Sequence, residues 1–176
     1  MTIQDRENAP VTGLRILPLG TDHLDAVADL NDREVPRVSP LGRDGLVDLL
    51  PRCDLAVVAV DGSDGVAGIV LAVAPGADYA SVNYRWFDAR GDDFLYVDRV
   101  VVAPRHRRQG VAAMLYDAVE ERARVAGYGR VTCEVNVRPP NPGSLAFHLS
   151  RGFVEVGRQD TTGGSLTVAL LSGDLR

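Results

Sequence analysis

Apolar positions along this chain fall into short runs separated by glycine-, proline- and aspartate-rich punctuation. Leu55-Ala-Val-Val-Ala-Val60 and Val66-Ala-Gly-Ile-Val-Leu-Ala-Val-Ala74 flank an Asp-Gly-Ser-Asp-Gly turn, which predicts a hairpin of two buried strands. Leu14-Arg-Ile-Leu-Pro18 reads as a first strand, and Phe94 to Val102 as a central one. Arg130-Val-Thr-Cys-Glu-Val135, the run opening at Gly152-Phe153, and Ser165 to Leu171 after the Gly163-Gly164 turn complete the strand set. Helical spacing appears at Leu24, Val27, Ala28 and Leu30 behind a cap at Thr21 or Asp22. It recurs in Asp44 to Leu50, stopped by Pro51, in Gly110 to Ala126, and in Ser144 to Arg151. The order predicts one α/β domain over residues 13–176 with a mixed sheet flanked by helices, and residues 1–12 as a tail with little pattern. Residues 75–93 carry Tyr79, Tyr84, Trp86 and Phe87 and read as a long loop, equally suited to a substrate lid or a structural cover.

The most informative stretch is Val100-Val-Val-Ala-Pro-Arg-His-Arg-Arg-Gln-Gly-Val-Ala112. A β-branched run ends at Pro104, four basic positions follow, and Gly110 opens an amphipathic helix. The first amides of a helix have no internal acceptor and sit at the positive end of its dipole, so such a turn suits phosphate groups. It is not a P-loop, which needs two glycines four residues apart followed by Lys and Ser or Thr. Nor is it a dinucleotide fingerprint, which needs three spaced glycines and an acid on the next strand.

Composition narrows the field. The 176 residues carry a net charge of −5, which argues against a general nucleic-acid binder. No apolar run approaches the roughly 18–20 residues of a membrane span, and the polar N-terminus lacks a signal core, so the expectation is a cytoplasmic protein without membrane attachment. Two cysteines make no disulfide framework, and Cys133 reads as a core residue. Three scattered histidines offer no metal-ligand spacing.

Arg107-x-x-Gly110-x-Ala112 resembles the acyl-CoA signature of the GNAT superfamily of N-acyltransferases. A second stretch matches the family's next signature: the strand to Val135, an Asn-containing turn (Asn136-Val-Arg-Pro-Pro-Asn-Pro-Gly143), a short helix, then Gly152-Phe153 opening a strand. Together they cover roughly residues 94–160, and the wording of this region is similar to a branch of bacterial acetyltransferases with no assigned substrate. The resemblance implies acetyl-CoA as co-substrate. It places the cofactor against Val100, Val101 and Val102 of the central strand, against Arg107, Arg108, Gln109, Gly110, Val111 and Ala112, and against Asn141, with Asn136 as the alternative. It also implies a strand that splays from its neighbour near Val100 and leaves backbone groups free for the pantetheine and for an oxyanion.

Acyl transfer to an amine needs a free amine, a stabilised oxyanion and a proton for the leaving thiolate. Strict alternation puts Phe94, Tyr96, Asp98, Val100 and Val102 on one face of the central strand and Leu95, Val97, Arg99 and Val101 on the other. Asp98 is then a carboxylate in a buried strand, where it is costly unless paired. The resemblance puts an acidic general base there, and an ion pair with an arginine is the competing reading. His148, four residues before Gly152, stands where many family members carry a tyrosine that protonates the departing thiolate; Tyr96 is its rival. The expected activity is N-acetylation of a primary amine on a small molecule or a protein by direct attack in a ternary complex. The alternative is a CoA-binding sensor or interaction domain without catalysis, and a homodimer is left open. The two readings differ in whether Asp98, Tyr96 and His148 line one pocket.

Overall fold

The computed structural model describes residues 13–175, so the N-terminal tail expected over residues 1–12 lies outside the described residues. The elements run β1 (Arg15–Pro18), α1 (Leu24–Arg33), α2 (Gly42–Leu49), β2 (Cys53–Val60), β3 (Val66–Val73), α3 (Val82–Asp88), β4 (Leu95–Val102), α4 (Val111–Ala126), β5 (Arg130–Arg138), α5 (Pro142–Ser150), β6 (Val154–Thr161) and β7 (Leu166–Asp174). Seven strands form one sheet in the order β1-β2-β3-β4-β5-β7-β6. All neighbours are antiparallel except β4 and β5, which are parallel and joined by the α4 crossover.

Three layers follow from which residues each strand turns to each side. On one face Val111, Leu115, Tyr116, Val119 and Ala123 of α4 pack on Val70, Ala72, Leu95, Val97, Val131 and Cys133, with Leu145 and Phe147 of α5 at the margin. On the other face α1 and α2 bury Val27, Leu30, Leu46 and Leu49 against Val58, Ile69, Leu71 and Val101. A third cluster sets Tyr84 and Phe87 of α3 on Phe94, Tyr96, Val168 and Leu170. The segment expected as a long loop therefore contains a short helix, capped by the Ser81 hydroxyl accepting from the Tyr84 amide at 3.3 Å. Its Tyr84 and Phe87 are core, and Tyr79 and Trp86 pack at the margin.

The central strand departs from strict alternation. Arg99 pairs with Leu71 and Val97 with Ala72, so Asp98 is the extra residue of a β-bulge. The bulge inverts the phase: Leu95 and Val97 share a face with Val100 and Val102, while Phe94 and Tyr96 share the opposite face with Val101. The parallel contact with β5 is short, holding only Leu95 to Val131 and Tyr96 to Thr132. Beyond Tyr96 the two strands separate.

Close packing of α4 on β3 depends on Gly68. A Cβ there would lie 2.9 Å from the Val101 carbonyl oxygen and 2.9 Å from Val111 Cγ1. Gly68→Val should therefore destabilise the protein by about 2–3 kcal/mol by overpacking, read as a lower denaturant midpoint with an unchanged slope. A wild-type midpoint would show that α4 does not pack this closely.

Candidate active site

The gap between β4 and β5 is the floor of a cleft of about 990 Å³. One end is built by the turn into α4. Gly110, at φ +82°, precedes the helix, no side chain caps it, and nothing lies within 4 Å of where a Cβ would stand. The left-handed conformation suits glycine and leaves the first-turn amides facing the opening. Four basic positions precede Gly110, but most are committed: Arg105 and His106 approach Asp61 at 3.4 and 3.3 Å, and Arg107 bonds Glu34 at 2.6 Å. Arg108 alone has no such partner among the described residues. Gln109 donates to the Arg105 carbonyl at 3.0 Å and so ties the loop internally. Val100, Val101, Val102, Val111, Ala112 and Asn141 also line the cleft. Asn141 caps α5, its side-chain oxygen accepting from the Ser144 amide at 3.4 Å. Asn136, the alternative, donates to the Pro36 carbonyl at 3.4 Å across the cleft.

The other end is acidic. Asp98, with 5% of its side chain exposed, accepts from Arg99 Nε at 2.8 Å and from the Tyr79 hydroxyl. The bulge is what lets neighbours in sequence pair this way. Arg99 is also buried, and it continues the network by donating to Asn31 Oδ1 at 3.0 Å and to the Ser39 carbonyl at 3.3 Å. It does not face away from Asp98.

The second carboxylate, Glu134 on β5, was not anticipated. Val131, Cys133 and Val135 face α4, so Glu134 points into the cleft on the α3 side. Its Oε2 accepts from the Tyr96 hydroxyl at 2.7 Å and its Oε1 from Asn83 Nδ2 at 3.1 Å. Burial and the nearby Asp98 charge raise its pKa to about 8, against the pull of Tyr96, Asn83 and Arg99. The signal in the sequence is a charge in the middle of a strand that is apolar at every second position.

The structure brings Asp98 and His148 to one cleft, together with Glu134, and leaves Tyr96 outside its lining. Tyr96 is fully buried beneath Glu134, and its hydroxyl is spent on that carboxylate. His148 is 2% exposed. Its Nδ1 lies 2.7 Å from the Ser144 carbonyl and must donate to it, so Nε2 accepts from the Tyr116 hydroxyl at 2.5 Å. The ring is neutral, and burial lowers its pKa. Tyr116, another residue the sequence reading missed, stands between His148 and the α4 side of the cleft.

With this geometry in place, comparison with known proteins is decisive at the level of family. A model of the acetyltransferase (GNAT) family matches residues 27–153. The chain belongs to the GNAT acetyltransferase family. No curated protein matches it. Among solved structures it is similar to Ard1 from Thermoplasma volcanium, with 17% identity, TM-score 0.75, and 93% of this chain and 98% of that one covered. It is also similar to yncA from Salmonella typhimurium, solved with its cofactor acetyl-CoA, with 16% identity, TM-score 0.70 and coverage of 94% and 95%. The ribosomal-protein-S18-alanine N-acetyltransferase of Escherichia coli matches at 17% identity, TM-score 0.68 and coverage of 92% and 94%. At such identities these likenesses speak for the fold, and this acetyltransferase takes its site from its own residues. Among the described residues no helix is long and apolar enough to cross a membrane.

The neutral state of His148 has a measurable consequence. Its folded pKa lies below its unfolded value of about 6.5, so its contribution to stability is full above that pH and is lost as pH falls through the folded pKa. His148→Phe, which also strands the Tyr116 hydroxyl, should cost about 1–3 kcal/mol at pH 7.5. The gap to wild type should narrow at pH 5. A gap that stays constant with pH would show that folding does not shift the ring's pKa.

Proposed function

We propose that this protein transfers an acetyl group from acetyl-CoA to a primary amine, within a ternary complex held in the β4–β5 cleft. The observation that carries the reading is the polarity of that cleft: an uncapped helix start with Arg108 at one end, and a buried carboxylate with a pKa near neutrality, Glu134, at the other. The first fits phosphate. The second fits proton removal from an ammonium.

The residues fit the cofactor in kind. The first amides of α4, with Gly110, Val111 and Ala112 around them and Arg108 beside them, would hold the pyrophosphate. The edge of β4 that faces β5 has no ladder partner past Tyr96, so its amides and carbonyls around Val100 to Val102 are available to the pantetheine amides. When bound, acetyl-CoA supplies the acetyl group as an activated thioester. An amide on that same open edge is placed to stabilise negative charge on a carbonyl oxygen.

Glu134 is assigned as the proton acceptor in place of Asp98. Asp98 is already engaged by a guanidinium and a phenol, whereas Glu134 has no ion pair among the described residues and a pKa close to working pH, which suits a base. Asp98 acts through its charge, holding Glu134 basic and drawing a cationic amine into the cleft. The Tyr116–His148 pair is assigned to the thiolate, a good leaving group that needs little help because a free thiol has a pKa of about 8.5. This arrangement favours turnover over a CoA-binding domain without catalysis, since binding alone needs no buried carboxylate held near neutrality.

The cofactor half is checked by Gly110→Asp, which places a negative side chain at the helix start. Acetyl-CoA should raise the melting temperature of the wild type and leave this variant unmoved. If the wild type shows no shift and no heat of binding, the proposed activity is wrong.

The base is checked by rate against pH on one acceptor, where the ionisation of the amine cancels between variants. Glu134→Gln should slow transfer about 10²-fold. The wild-type to variant ratio should grow with pH as Glu134 loses its proton, then level off above pH about 8. Asp98→Asn should keep that inflection and move it to lower pH, because it removes the like charge that raises Glu134. Loss of the inflection in Asp98→Asn, with its retention in Glu134→Gln, would return the role of base to Asp98.

A further inference from the structure

Glu134, Leu170 and Gly157 lie in one row across β5, β7 and β6, and Asn136, Val168 and Gln159 lie in the next. Residues in register share a face of a sheet. Leu170 and Val168 are buried beneath Tyr84 and Phe87, so both rows run under α3. Gly157 and Gln159 therefore face that helix, although β6 is an edge strand. Two contacts tie α3 to them. Trp86 lies across Gly157, where a Cβ would stand 2.7 Å from Trp86 Cζ2. One turn earlier on the helix, Asn83 Oδ1 accepts from Gln159 Nε2 at 2.9 Å. The other half of the same amide reaches the cleft, where Asn83 Nδ2 donates to Glu134 Oε1 at 3.1 Å. A chain of donors thus runs from the edge strand through α3 to the buried carboxylate.

The direction of that chain matters. An asparagine side chain has a donor on one side and an acceptor on the other. An ionised carboxylate only accepts, whereas a protonated one also donates. With Nδ2 turned toward it, Glu134 is held in the form that takes up a proton; with Oδ1 turned toward it, the protonated form would be favoured. Gln159 occupies Oδ1 and so supports the first arrangement. The charged groups acting on Glu134 are Asp98 and Arg99 of β4, which are paired with each other. Tyr96 of β4 is its other neutral donor, and β7 presents Leu170. Burial and Asp98 oppose ionisation, and Tyr96, Asn83 and Arg99 offset them.

We propose that Gln159 is a positioning residue for Glu134: by donating to Asn83 Oδ1 it turns the Asn83 amide so that Nδ2 meets the carboxylate. The inference rests on Glu134 as the proton acceptor and deepens that reading. Gln159 is outside the cleft lining and acts only through Asn83. The edge strand thereby sets the state of a base that it does not touch.

The test follows the Glu134 carboxyl by NMR in protein carrying 13C at the glutamate side-chain carboxyls, with the signal identified by its loss in Glu134→Gln. In the wild type it should titrate near pH 8. Gln159→Leu, which keeps the bulk and removes the donor, should raise the midpoint by about 0.5–1 pH unit. Asn83→Ala should raise it by at least as much, and adding Gln159→Leu to Asn83→Ala should move it no further. A midpoint unmoved or lowered by Gln159→Leu would overturn the proposal, as would an equal shift with and without Asn83. A defect of folding alone would lower the melting temperature without moving the midpoint. A wild-type Glu134 that titrates with the other glutamates would overturn the assignment of the base, and this inference with it. The titration needs neither cofactor nor acceptor, so failure to bind acetyl-CoA would overturn the acetyltransferase reading separately.

Discussion

Two parallel strands that hold together for only two residue pairs make this site what it is. β4 and β5 are in register at Leu95 with Val131 and at Tyr96 with Thr132, and then part. A backbone edge left open inside a protein is costly unless something satisfies it. Here the open edge becomes the floor of a cleft, with α4 starting at one end and the two carboxylates at the other. The crossover helix cannot close the gap, because it packs tightly against β3 through Gly68 and reaches the sheet from the opposite face.

The second constraint is the bulge at Asp98. Inserting one residue lets Leu95, Val97, Val100 and Val102 all serve the α4 core, and it turns Arg99 toward α1. A regular strand would have sent Val100 to the other face. The bulge also places Asp98 and Arg99 as a pair, so that the acid next to Glu134 is itself matched. One carboxylate is thus held in an ion pair, and its neighbour is left without one among the described residues.

Much of this was legible from the chain. The hairpin, the order of strands and helices, the glycine turn into α4 and the burial of Cys133 follow from local signals: β-branched runs, turn residues and helical spacing. What escaped has physical reasons. The bulge leaves no mark in a run such as Tyr96-Val-Asp-Arg-Val100, since period-two reasoning assumes that no residue is inserted. The helix from Val82 to Asp88 is short, and its buried aromatic residues are clustered without a clear period. Glu134 reads as the solvent side of a half-exposed strand until β5 is known to lie inside the sheet, with β7 as its other neighbour. The basic cluster was visible, but that Glu34 and Asp61 claim most of it depends on contacts between distant segments.

The buried Arg99 guanidinium has a consequence for how the molecule is built. Its partners besides Asp98 are Asn31 and Ser39, which lie 68 and 60 residues away along the chain. Contacts so distant in sequence form only after intervening loops have been closed, and closing them is the slow part of acquiring a fold. The loop that carries Val35 and Pro36 is thus pinned only once the helical pair α1–α2 has docked onto an assembled β4. Sheet and helices can take shape first, and this wall of the cleft is fixed last.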